Sequence, residues 1–176
     1  GVVYLIKKCA PTLAIHLSTQ ANTTNKYAVK FWKEQGVSRV ILARELSLKE
    51  IAEIHDFVPD VELEAFVHGA MCISYSGRCL LSDYLDGRSS NRGACVQSCR
   101  WRYEVRALNA TNGQSEWLPI EEDGKGTYIF NSKDLNMLAR LQEMEGAGIC
   151  SFKIEGRMKS GYYLANDLNL RIENSK

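Results

Sequence analysis

The stretch VSRVILARELSLKEIAEIHDFVPDVELEAFV (Val37–Val67) decides the fold. It opens and closes on VSRVILA (Val37–Ala43) and VELEAFV (Val61–Val67), short β-branched runs of the kind that form buried strands. Between them SLKEIAEIHDFV has helical spacing, with Ser47 at the N-cap and Glu50 three residues later, the signature of a capping box. Upstream, LAIHLS (Leu13–Ser18) reads as a strand and NKYAVKFWKEQG as its helix. In that helix Tyr27, Phe31 and Trp32 are expected to join Val29 in a buried stripe, and Gly36 to end it. The three strands begin at Leu13, Val37 and Val61, a period of 24 residues. Strand–helix repeats with short connections predict an α/β fold, a parallel sheet with helices outside it. Downstream, SKDLNMLARLQEMEGAG predicts a capped amphipathic helix and ICSFKIEG a fourth strand.

The whole chain has 176 residues, 45% of them hydrophobic and 24% charged, which suits about one globular domain and excludes collagen-like or wholly disordered classes. No apolar run approaches the roughly 20 residues of a membrane-spanning helix. The opening GVVYLIKKCAPTL lacks a signal-peptide layout, so a cytoplasmic protein is expected. GVVYLIKK reads as a helix entered part-way, and GYYLANDLNLRIENSK is still helical in pattern at the other end. The expectation is therefore a piece of a longer protein. Twenty-two lysines and arginines against 21 acidic residues leave a net charge of +1, which by itself names no partner.

Residues 72–130 differ from what surrounds them, separating βα units in 1–71 from a last βα unit and trailing helix in 131–176. The segment is rich in Gly, Ser, Arg and Cys up to Arg102. Then YEVRALN and EWLPIEE flank ATNGQ, whose Asn112-Gly113 is a strong hairpin signal. A second turn, EDGKG, leads into TYIF. Four cysteines, Cys72, Cys79, Cys95 and Cys99, fall within 28 positions, and Gly69, Gly77, Gly87 and Gly93 let the backbone wrap around them. Thiolates suit zinc or an iron–sulfur cluster. Only Cys95 and Cys99 approach the close pairing of structural zinc sites, and wide spacing suits a cluster better. Unligated thiols and disulfides remain open on spacing alone. Cys9 and Cys150, each alone among apolar neighbours, read as small core residues.

In parallel α/β folds chemistry gathers at the carboxyl ends of the strands. The first strand delivers His16 and Gln20 there, the second Arg44 and Glu45, the third His68, and the fourth Lys153, Glu155 and Arg157. These residues could build a site or a set of structural ion pairs. His55, beside Asp56 on a helix, reads as solvated surface. Five arginines from Arg88 to Arg106 face one acid, Glu104, and with Trp101 and Tyr103 they could seat nucleic acid. A charged strand face fits Arg100 and Arg102 as well.

EAFVHGAMCISYSGRCLLS (Glu64–Ser82) resembles the signature of the collagenase-like peptidase family U32. IHLSTQANTTN, ARELSLKEI, NRGACVQSCRWRY, NSKDL and SFKIEGRMKS extend the likeness along the chain, which is most similar to the members that hydroxylate tRNA to 5-hydroxyuridine. The resemblance implies a TIM-like (β/α) barrel, here a fragment carrying a Cys/Arg-rich insertion and a β-hairpin. It also implies a four-iron four-sulfur cluster with Cys72, Cys79 and Cys95 as ligands. Some relatives carry a cysteine where this chain has Asn136, and Cys99 is then the nearest fourth ligand.

Two functions follow as expectations. One is an RNA-modifying enzyme that hydroxylates the wobble uridine of tRNA, with prephenate as the implied small-carboxylate co-substrate and an unknown electron donor. In that reading His68, His16 and Glu45 are catalytic. Gln20, Arg44, Lys153, Glu155, Arg157, Arg100 and Trp101 hold substrate. A hydroxylase of a small aromatic or quinone precursor would share the cluster. The other function is the protease of the family label. No HExxH is present, and Ser76 in SYSGR lacks the first glycine of a nucleophile elbow. A protease also explains at most one of the four cysteines, through a Cys72–His68 pair.

Overall fold

The computed structural model describes residues 1–101, 103–108, 111–119, 134–156, 159–163 and 165. Helix α1 (Val2–Cys9) leads into strand β1 (His16–Leu17), helix α2 (Lys26–Glu34), strand β2 (Arg39–Ile41), helix α3 (Leu48–Phe57) and strand β3 (Glu62–Ala70). After the cysteine segment and its short helix α4 (Leu81–Asp86) come the strands β4 (Glu104–Leu108) and β5 (Ser115–Pro119). Strand β6 (Asp134–Asn136), helix α5 (Leu141–Gly146) and strand β7 (Ile149–Glu155) complete the order. Strands β1, β2, β3 and β7 lie side by side and parallel, as the 24-residue period requires. β4 and β5 form the expected antiparallel hairpin, Glu104 opposite Pro119 and Leu108 opposite Ser115. EDGKG, TYIF, Arg102 and Arg157 lie outside the described residues.

Alternation along the strands, with a register shift in β7 between Ile149 and Ser151, gives the sheet two chemically different faces. Val40, Leu63, Ala65, Val67 and Ile149 pack under the helices, against Val29 of α2, Ile51 and Ile54 of α3 and Met144 of α5. On the other face stand Arg39, Glu64, Phe66, Ser151 and Lys153. Burying Glu64 to 8% exposure is tolerable because Lys153 Nζ reaches it at 3.1 Å, Ser151 donates at 3.0 Å and Arg39 lies at 3.5 Å. The α3 capping box is present in full, Ser47 Oγ accepting from the Glu50 amide and Glu50 accepting from the Ser47 amide.

Several expectations are corrected. SKDLNMLARLQEMEGAG does not begin as a helix: Asp134–Asn136 pairs antiparallel with Ala70–His68. β7 runs along one edge of β3 from Leu63 to Gly69, so β2 and β6 share the other edge, one at each end. That unpaired length of β3 offered backbone hydrogen bonds which outweighed local helical spacing. The helix starts only at Leu141, after a 3-10 turn over Leu138–Arg140. In α2 only Val29 is fully buried and Trp32 partly so. Tyr27 and Phe31 are exposed, Tyr27 packing edge-on against Phe57 and Phe31 against Trp32. Cys9 and Cys150 are exposed rather than core. His55 is no loose surface group either. Gly148, at φ +96°, lies so close under its ring that a Cβ there would sit 2.2 Å from the imidazole Cγ.

Candidate functional site

The loop after β3 is held in place by backbone and hydroxyl groups rather than by apolar packing. Gly77 adopts φ +76° and sits against the Gln20 carbonyl, where a Cβ would come within 2.0 Å of the oxygen. Thr19 Oγ1 bridges the Leu42 carbonyl and the buried Ser76 hydroxyl at 3.2 and 3.3 Å. Gln20 Nε2 donates to the Ser90 carbonyl at 3.0 Å. Ser90 Oγ and Asn91 Nδ2 in turn donate to the Cys79 carbonyl. Ser82 Oγ, fully buried, accepts from the Val96 amide, and Tyr103 donates to the Ser98 carbonyl at 2.6 Å. Most buried polar groups in this Gly/Ser-rich segment are thus matched, so it can hold one shape without a core of its own.

The loop closes over the polar face of the sheet and leaves a cavity of about 240 Å³. Cys72, Cys79, Cys95 and Cys99 all line it, so four thiols spread over 28 positions meet at one hollow. None of the six cysteines is in a disulfide. Burial pushes the Cys72 thiol up, with Cys95, Cys79 and Glu155 acting the same way and Arg44 opposing them. Burial likewise raises Cys99, with Cys95, Cys72 and Cys79 adding to it and Arg100 opposing. Sulfurs that perturb one another share one electrostatic neighbourhood. Among the described residues no three His, Cys, Asp or Glu groups converge tightly enough to grip a single metal ion.

The strand-end residues fall into separate roles. Arg44 lies under the cavity with a side chain only 7% exposed. Its Cζ is 3.6 Å from the centre of the Phe66 ring, Nη1 is 3.6 Å from Cys72 Sγ and Nη2 is 3.8 Å from Glu155. Lys153 and Glu155 line the same cavity, Lys153 being tied to Glu64. Gln20 lines it too, but its amide braces Ser90. Glu45 braces the loop from outside, accepting from the Ser76 amide at 3.0 Å. Arg100 lines the cavity and is ion-paired with Asp134 at 2.5 Å, with Nε and Nη2 buried and without hydrogen-bond partners. Trp101 is 46% exposed at the rim of the segment. His16 is exposed and His68 half-buried, and neither is among the described residues that line the cavity.

His68 belongs to a network that the sequence did not reveal. Its Nδ1 is 2.8 Å from Tyr163 Oη, and Tyr163 donates to Asp134 at 2.9 Å. Lys159 also donates to Asp134 at 2.9 Å, so this carboxylate joins β6, the segment after β7 and Arg100. Burial pushes the Asp134 carboxyl up, yet the hydrogen bonds from Lys159 and Tyr163 and the charge of Arg100 outweigh it, leaving the group below its ordinary value. NSKDL carried no hint of this, because Asp134 reads there as the first turn of a helix.

The family model of peptidase family U32 matches residues 1–170. The chain is 41% identical to tRNA hydroxylation protein P of Escherichia coli, covering 94% of this chain and 44% of that protein. It is 49% identical to the protein of the same name in Helicobacter pylori, covering 94% and 39%. A collagenase of Porphyromonas gingivalis is 36% identical over 85% of this chain and 36% of its own length. The chain thus spans less than half the length of these relatives. No solved structure matches it at a significant level.

Proposed function

The chain belongs to peptidase family U32, and on that footing we propose that it is the cysteine-bearing part of an RNA hydroxylase, acting in the cytoplasm on the wobble uridine of tRNA. The observation that carries the reading is the single cavity lined by four thiols and walled by Arg44, Lys153 and Arg100. Four sulfurs around one hollow suit a cluster whose irons each take one thiolate. Cys72, Cys79, Cys95 and Cys99 would hold a four-iron four-sulfur cluster, which supplies one-electron transfer when bound. The parallel order β1-β2-β3-β7 fits consecutive strands of a (β/α) barrel, with the cluster site at its mouth.

The chain's own residues would do the rest. Lys153, and Arg157 beyond the described residues, would hold an anionic group such as a substrate phosphate or the carboxylates of prephenate. Tyr163 and Asp134 would orient His68 for proton movement at its second ring nitrogen, Nδ1 being engaged by the phenol. Trp101, exposed beside the thiol segment, offers a stacking face for a base. Two measurements test this. Anaerobically isolated protein should contain iron and sulfide, and Cys72→Ala should lose both. Nucleoside mass spectrometry of tRNA from a deletion strain should show loss of hydroxylated wobble uridine; an unchanged nucleoside would overturn the RNA assignment.

The collagenase relative favours a second reading, peptide hydrolysis. It requires an activated nucleophile, and the Cys72 sulfur accepts from Arg44, a cation that cannot act as the base. Iron-free protein that cleaves peptides would favour this reading over the first.

A further inference from the structure

Three cations line the thiol cavity among the described residues, and their surroundings differ. Arg100 is in contact with Asp134 at 2.5 Å, and Lys153 with Glu64 at 3.1 Å. Each has a carboxylate at ion-pair distance, Asp134 being shared with Lys159 and Glu64 with Arg39. Arg44 stands otherwise: its carboxylate partner Glu155 lies farther off, at 3.8 Å, while Nη1 points at Cys72 Sγ from 3.6 Å. The guanidinium plane is held over Phe66 at 3.6 Å and the side chain is 7% exposed. A planar cation held on an aromatic face keeps its direction, and with its own side chain largely covered its field is screened less than that of a surface charge, although Cys72 itself is exposed. It is therefore badly placed to capture a diffusing anion and well placed to act on sulfur.

We propose that Arg44 sets the reduction potential of the iron–sulfur site by donating to the Cys72 sulfur and placing a buried positive charge beside it, with Glu155 as the opposing charge. The inference rests on the cluster reading given above. Iron–sulfur potentials respond to net charge, to hydrogen bonds at the sulfurs and to solvent exposure, and Arg44 acts on the first two in one direction. The reduced cluster carries one more negative charge than the oxidised one. A fixed cation and an N–H donor stabilise the reduced form more and so raise the potential. Glu155 disfavours the reduced form by the same argument. Arg44 is thus a potential-setting residue and no ligand.

The test uses the full-length protein, isolated anaerobically, with iron and sulfide quantified and the reduced signal followed by electron paramagnetic resonance during a redox titration. Arg44→Gln with wild-type iron content should need at least a tenfold change in the oxidant-to-reductant ratio, 59 mV toward the negative for one electron. Arg44→Lys, which keeps the charge without the flat donor, should fall between. Glu155→Gln should move the midpoint the opposite way. A fully loaded Arg44→Gln protein titrating at the wild-type midpoint overturns the proposal and leaves the cluster reading intact. If Arg44→Gln fails to load, Glu155→Gln decides alone, an unchanged or more negative midpoint overturning the proposal. Wild-type protein without iron and sulfide overturns the cluster reading and this inference with it.

Discussion

Replacing Gly77 by alanine tests whether the thiol loop is seated by close backbone approach. Two costs add. An L-residue at φ +76° costs about 1–2 kcal/mol. The new methyl would also stand 2.0 Å from the Gln20 carbonyl oxygen and 2.8 Å from its carbon, a backbone clash that no rotamer relieves. Overpacking of that kind costs about 1–3 kcal/mol, so the loss should come to about 2–5 kcal/mol. Gly87→Ala is the matched control: φ is +64° and nothing lies within 4 Å of the added Cβ, so only the backbone cost remains. Urea unfolding followed by circular dichroism should therefore separate the two variants by about 1–3 kcal/mol. Gly77 lies two residues before Cys79, so the retreating loop should also lower iron content in Gly77→Ala and not in Gly87→Ala. Equal destabilisation of the two variants, with equal iron, would refute the idea that contact with Gln20 seats the loop.

Ser47→Ala removes one half of the α3 capping box and should cost about 1 kcal/mol, read as a lowered melting temperature. Leu63→Ala opens a cavity at a fully buried point of β3 and should cost about 2–5 kcal/mol in urea unfolding. Burial pushes Glu64 up, but hydrogen bonds from Lys153 and Ser151 with the charges of Lys153 and Arg39 outweigh it, and the carboxyl lies below its ordinary 4.5. Its stabilising contribution is therefore complete above the unfolded value and is lost as pH falls through the lower folded one. Melting temperatures measured from neutral pH down to pH 3 should fall less steeply for Glu64→Gln than for the wild type.

Local chemistry was legible from the start. The 24-residue strand–helix period, the Ser47–Glu50 cap and the Asn112-Gly113 hairpin all depend on neighbours within a few positions, and the structure repeats each of them. The spacing of the four cysteines also marked a segment whose thiols line one cavity. Failures came where a distant partner competed with local preference. Asp134–Asn136 has a helix-like sequence and pairs with β3 because that strand's edge was open. Tyr27 and Phe31 have core-like side chains yet stay exposed, Tyr27 against Phe57 and Phe31 against Trp32.

For this protein, periodicity, capping and residue type sufficed for the parallel α/β scaffold and for marking residues 72–99, whose four thiols line one cavity. Only tertiary structure decided which charge meets which. Arg44 and Arg100 look alike in sequence, yet one turns toward Cys72 over Phe66 and the other forms an ion pair with Asp134. The physical reason is that backbone propensities act over a few residues, whereas electrostatic pairing depends on distances set by the packing of strands far apart in the chain.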